Sequence, residues 1–311
     1  MTTAASPASA PRRAVKAGVI PPGTSRPLAL SPVPNLDPPR RPADTEAADR
    51  RHEFAEMGEA PSKVPNMTVY FWIVKIITTA LGEAVSDYLV NAISPEVAVV
   101  IGFVGFAAAM ALQFRVRTYV AGVYWLAALM VSIFGTMAAD VAHVGLGIPY
   151  AVSAVICASA LVVVFVVWNR YEGTLSIHSI TTPRREAFYW ATALVTFALG
   201  TAAGDLTAYT FHLGFLTSGI IFICVFAVPA VAFGLFKLNA VLAFWFAYIV
   251  TRPLGASFAD WGAKPAKVRG RGYGDGPVSL VLVLALIGFV VYLAASHVDD
   301  PARSSPPVAP G

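Results

Sequence analysis

Eight apolar stretches, most of about twenty residues, divide the chain from residue 69 onward, near 69–92, 96–114, 118–142, 149–168, 188–211, 215–236, 238–259 and 278–296. A bilayer core about 30 Å thick takes roughly 20 apolar residues in a helix. No water is present there to satisfy backbone N–H and C=O groups, so the segments must be helical. The sequence therefore reads as an all-α integral membrane protein with eight transmembrane helices. Composition agrees, since only 13% of the 311 residues are charged, where a soluble domain carries about a quarter. The two cysteines, Cys157 and Cys224, both fall inside apolar runs. That excludes a disulfide framework and a Cys-x-x-Cys metal site.

Charge is concentrated outside the spans. Residues 1–65 hold 12 of the 23 prolines and 9 of the 22 Lys and Arg residues. This stretch reads as a disordered Pro/Arg-rich tail, too poor in apolar side chains to offset its chain entropy. The connections after the second, fourth and sixth spans carry Arg115 and Arg117, then Arg170, Arg184 and Arg185, then Lys237, while those after the first and third carry no Lys or Arg. By the positive-inside rule both termini are cytoplasmic. The last connection, with Lys264, Lys267, Arg269 and Arg271, runs against the rule and reads as a solvated loop. Nucleic-acid binding is not expected, because the net charge of +4 comes from the tail and loops.

A motif recurs four times: an aromatic, Trp, nine residues, Gly, four residues, Asp. The copies are Phe71-Trp72…Gly82…Asp87, Tyr124-Trp125…Gly135…Asp140, Tyr189-Trp190…Gly200…Asp205 and Phe244-Trp245…Gly255…Asp260. Each lies on an odd-numbered span. Because each unit holds two spans, all four motif helices cross in one direction, giving parallel two-helix repeats. The boundaries that follow are a cytoplasmic tail over 1–65, and a transmembrane domain over 66–298 with repeats at about 66–115, 118–168, 186–236 and 238–298. A disordered C-terminal tail over 299–311 completes the chain.

With Trp72, Trp125, Trp190 and Trp245 and their Gly and Asp partners, the chain resembles a bacterial family of multi-spanning membrane proteins. Its members are built from two or four tandem copies of a two-span unit with a characteristic tryptophan. The resemblance covers about residues 66–265. It implies a protein of the bacterial inner (plasma) membrane and supplies no activity, because the repeat is one of unknown function.

Helical spacing turns the motif into faces. Small residues four before and four after each glycine give stripes such as Thr78-Gly82-Ser86 and Thr196-Gly200-Gly204, and the stripes centred on Gly82, Gly135, Gly200 and Gly255 are expected to pack helices. Beside them run Thr79-Glu83-Asp87, Ser132-Thr136-Asp140, Phe197-Thr201-Asp205 and Arg252-Ala256-Asp260. Packing through the small faces brings these polar faces toward shared interior space. Trp to Asp is 15 residues, or about 22 Å of helix, so the acids lie near the far end of each span. The tryptophans are expected as interface anchors. Lys75 and Arg252 are candidates to neutralise Glu83 or an Asp. His143 follows Asp140 by three residues and His212 follows Asp205 by seven; with carboxylates, imidazole suits Mn²⁺ or Zn²⁺, and whether a metal binds is left open.

No Gly-x-Ser-x-Gly, His-Glu-x-x-His or phosphate-binding loop occurs, so no enzyme and no cofactor are expected. The leading expectation is a transporter of small cations or a proton-coupled solute carrier, with Asp87, Asp140, Asp205, Asp260 and Glu83 lining its pathway. The alternative is a membrane scaffold or sensor whose tail recruits a cytoplasmic partner. The lipid bilayer is the expected partner, and a homo-oligomer is compatible with either reading.

Overall fold

The computed structural model describes residues 62–304. Most of the tail expected over 1–65, and the end of the chain past 304, lie outside the described residues. Within them eight helices are long and apolar enough to cross a membrane. They are α1 (Val69–Ala92), α2 (Pro95–Arg115), α3 (Ala121–Asp140), α4 (Tyr150–Glu172), α5 (Pro183–Asp205), α6 (Phe215–Phe236), α7 (Ala240–Ala263) and α8 (Asp275–Ser296).

Local chemistry explains where they start and stop. The Thr68 and Thr182 hydroxyls accept from the N–H groups of Phe71 and Arg185, and the Asn239 side chain accepts from Val241 and Leu242. Each ties down otherwise unpaired amides of a first turn. Pro95 and Pro183 open their helices, where a missing N–H costs nothing. The carbonyls at the end of α7 accept from the loop that follows: Arg271 N–H bonds Trp261 O, Gly272 bonds Lys264 O, Tyr273 bonds Gly262 O and Gly274 bonds Ala263 O. A side chain at Gly270 would collide with the Lys264 carbonyl, so this fold-back requires glycine there.

The odd helices form a closed inner ring, α1 to α3 to α5 to α7 and back to α1. More than half of the most apolar stretch of each odd helix is buried, against less than a quarter in each even helix. The even helices lie outside, and each packs chiefly on the odd helix of the next repeat. Thus α2 lies on α3, α4 on α5, α6 on α7, and α8 closes the circle on α1.

The motif residues make this ring, and each contact recurs cyclically. Gly82 lies against Ser132, Gly135 against Phe197, Gly200 against Arg252, and Gly255 against Thr79. Every glycine therefore receives the residue three before the glycine of the next repeat. A Cβ at any of the four would overlap that neighbour, so hydrogen at this position sets how closely the backbones approach.

The aromatic pairs repeat the pattern at the other end. Trp125 packs on Phe71 at 5.6 Å between ring centroids, Trp190 on Tyr124 at 5.5 Å, Trp245 on Tyr189 at 6.1 Å, and Trp72 on Phe244 at 5.8 Å. These separations fall in the range favoured by aromatic pairs. Trp125, Trp190 and Trp245 are consequently buried inside the bundle. A surface anchor role fits only the half-buried Trp72. An indole near the end of a span has the same spacing whether it faces outward or packs on the aromatic of the preceding repeat, and here three of the four pack inward.

Both flanks of the ring are packed further than composition implied. Lys63 is buried and its Nζ meets Glu186 Oε2 at 2.6 Å, while Gln113 Nε2 donates to Glu186 Oε1 at 2.8 Å. Asp299 is buried too: it accepts from the Tyr119 hydroxyl at 2.5 Å, and its carbonyl accepts from Asn66 N–H at 2.9 Å. Lys63 and Asp299, which the sequence reading placed in the tails, therefore pack against the helices. Lys63 and Asp299 are held by side chains more than a hundred residues away.

Candidate functional site

Along the ring axis the side chains form layers. At the aromatic end the Tyr124 and Tyr189 hydroxyls are 2.5 Å apart, and the Tyr189 hydroxyl lies 3.5 Å from that of Tyr248. Next comes Lys75, 1% exposed, with its ammonium 4.2 Å from the Phe197 ring centroid and 4.0 Å from that of Tyr248. Among the described residues it has no hydrogen-bond partner. Two aromatic faces can hold a cation electrostatically, and they hold Lys75 away from any carboxylate.

Arg252 occupies the middle layer and is fully buried. Its Nη2 donates to Glu83, to Thr136 and, at 2.8 Å, to Thr201, while Nη1 reaches the Thr79 carbonyl at 3.3 Å. Glu83, Thr136 and Thr201 are the residues immediately after the motif glycines of the first three repeats. The fourth repeat has Ala256 at that position. One repeat thus supplies a guanidinium that binds the equivalent positions of the other three, and it does so from the one helix with nothing polar to offer there. The Arg252–Glu83 pair foreseen as a neutralising contact is present; Lys75 takes no part in it.

The four aspartates gather at the far end, five residues beyond the glycines, and divide into two groups. In one, Glu83, Asp87 and Asp260 offer oxygens within 4.8 Å of one another. Lys264 serves this group, with Nζ 2.5 Å from Asp87, 4.0 Å from Asp260 and 3.9 Å from Asp275. Burial works against the Lys264 charge, but Asp87, Asp260 and Asp275 outweigh it and hold its pKa above the ordinary lysine value. The loop over 264–274 was read from sequence as solvated, and that reading is corrected for Lys264. Its spacing of four from Asp260 was the available signal.

In the second group Asp140, His143 and Asp205 likewise lie within 4.8 Å of one another. Asp140 ends α3 and Asp205 ends α5, and each is followed by a single π-helical turn, Val141–Gly145 and Leu206–Thr210. Such widened turns occur frequently at functional positions. His212 is exposed and remains outside the group. An apolar cleft of about 850 Å³ lies elsewhere, bordered by Trp72, Phe226, Pro229 and Phe244, and none of the five acids borders it.

The pattern of the Repeat of Unknown Function (DUF347) matches residues 70–119, 123–174, 188–237 and 243–299. The chain belongs to that family. Each DUF347 repeat contains one inner helix with its motif and the outer helix that follows, so sequence repeats and structural repeats coincide. No curated protein and no solved structure matches the chain.

Proposed function

We propose that the protein is a multi-pass protein of the bacterial inner membrane that transports small cations or couples a solute to protons, with both termini cytoplasmic. One observation carries this reading: carboxylates from all four repeats converge on one end of a closed helical ring that a single guanidinium blocks at mid-depth. Acidic side chains within a span are costly and usually face a bundle interior or a water-filled cavity. Here Glu83, Asp87, Asp140, Asp205 and Asp260 share that interior. The basic residues Arg115, Arg117, Arg170, Arg184, Arg185 and Lys237 lie at the opposite end of the helices, and this supports the orientation.

The chain's own groups supply a gate. Arg252 lies eight residues before Asp260, or about 12 Å deeper along the helix. Its position depends on the Glu83 carboxylate. A cation arriving at Glu83 competes with the guanidinium for the carboxylate, which links arrival of the ion to release of the block. Beyond it, Lys75 and the tyrosine hydroxyls form the second barrier.

Reconstituted vesicles test the proposal, with Mn²⁺, Zn²⁺ and proton fluxes read by entrapped dyes. The double substitution Asp87→Asn with Asp140→Asn is expected to lower flux at least ten-fold without loss of folded protein. Undiminished flux in that variant would remove the aspartates from the pathway.

A further inference from the structure

The two acidic groups differ in how their charge is balanced. Lys264 sits among Asp87, Asp260 and Asp275, so a built-in ammonium already occupies the first group. Asp140 and Asp205 have neither a hydrogen bond nor a basic side chain at ion-pair distance among the described residues, although both are half-buried. The third member of their group is an imidazole. His143 is 8% exposed, and among the described residues neither of its ring nitrogens has a hydrogen-bond partner. A buried imidazole with two idle nitrogens loses the interactions that water would have given it. Repeats one, three and four carry Val90, Ala208 and Ala263 at the position of His143, so the histidine is not part of the ring's shared construction.

We propose that Asp140, His143 and Asp205 form a binding site for a divalent first-row transition-metal ion of the Mn²⁺-to-Zn²⁺ class. Imidazole with carboxylate oxygens suits these ions, whereas Mg²⁺ and Ca²⁺ take oxygen ligands alone. The geometry is close to what such an ion needs. Ligand atoms about 2.1 Å from one metal stand roughly 3.0–3.4 Å apart. The three residues offer atoms within 4.8 Å of one another, so shifts of about an ångström bring them onto a common ion. The Tyr150 ring meets His143 edge-on at 4.5 Å between centroids, and Tyr209 stacks on Tyr150 at 6.1 Å. This aromatic wall restricts the imidazole on one side and leaves the carboxylate side for the ion. The remaining coordination positions fall to water, as expected where a cargo ion must leave again.

The assignment deepens the transport reading by naming the class of ion, and equilibrium binding tests it apart from flux. The full chain in detergent is titrated with Zn²⁺ and, separately, with Mn²⁺ by isothermal calorimetry. One ion per chain is expected for at least one of the two metals. His143→Ala and Asp140→Asn should each weaken binding ten-fold or more, while His212→Ala should leave it unchanged. Size-exclusion elution and helical circular dichroism confirm that each variant is folded; if His143→Ala is not, His143→Gln and Asp140→Asn decide. No binding by the parent chain overturns the site. So does equal binding by all variants, which would place the ion elsewhere. Binding without flux would retain the site and refute transport.

Discussion

The two ends of the inner ring follow opposite rules. At the aromatic end the same contact is made four times, each tryptophan on the aromatic of the preceding repeat, and the closing pair Trp72–Phe244 matches the others in spacing. At the acidic end four equivalent aspartates are surrounded by non-equivalent partners. Lys264 serves two of them and His143 faces the other two. Repetition builds the scaffold, and departures from repetition mark where chemistry is concentrated. Arg252 is the largest departure, a fully buried guanidinium at a position held by Thr79, Ser132 and Phe197 in the other repeats.

The largest effect that would break this comparison is expected at that residue. Arg252→Met leaves Glu83 buried without its partner, which costs about 3–5 kcal/mol, measurable as thermal unfolding in detergent. The double substitution Arg252→Met with Glu83→Gln should recover most of the loss. If the single variant is as stable as the parent, the middle layer is not held by charge. A somewhat smaller effect tests the aromatic end. Trp125→Ala should cost about 3 kcal/mol, and Trp72→Ala clearly less because Trp72 is only half-buried. Equal losses would mean that burial does not distinguish the four indoles.

The smallest effect sharpens the acidic end. Lys264→Met removes a partly exposed ammonium and should cost about 1 kcal/mol or less. Its sign with pH is fixed by the raised pKa of the lysine. The folded chain holds this proton more tightly than the unfolded one, so the lysine's part of the contribution is fully present below its ordinary pKa and is lost as pH rises through the folded one. The pair also needs ionised partners, so it weakens again in acid as the carboxylates around Lys264 are protonated. Stability curves of parent and variant should therefore lie furthest apart near neutral pH and converge in strongly alkaline and in acidic solution. A gap that does not change with pH would contradict the ion-pair assignment.

Much of this architecture was legible in the sequence. The apolar runs located all eight helices to within a few residues, because an unbroken apolar run of about twenty residues is long enough for one helix and too long for one strand. The constant intervals between Trp, Gly and Asp identified the inner helices, their packing face and the acidic end. Periodicity states which face of a helix is small and which is polar, but not which neighbour each face meets. The cyclic order, in which every glycine receives the next repeat, was therefore not readable. Trp125, Trp190 and Trp245 were placed at the surface because an aromatic near a span end has the same spacing whether it faces lipid or a partner helix. Lys264 was read as solvated because the fold-back of its loop depends on backbone hydrogen bonds, with a glycine at 270, that composition does not reveal.

Each outer helix rests on the repeat after its own, and α8 rests on α1. During synthesis the first helix is therefore made more than two hundred residues before the segment that covers its flank leaves the ribosome. No single repeat can be excised as a working miniature. A nascent chain stopped before its last helix would expose an uncovered side to proteases and quality-control machinery.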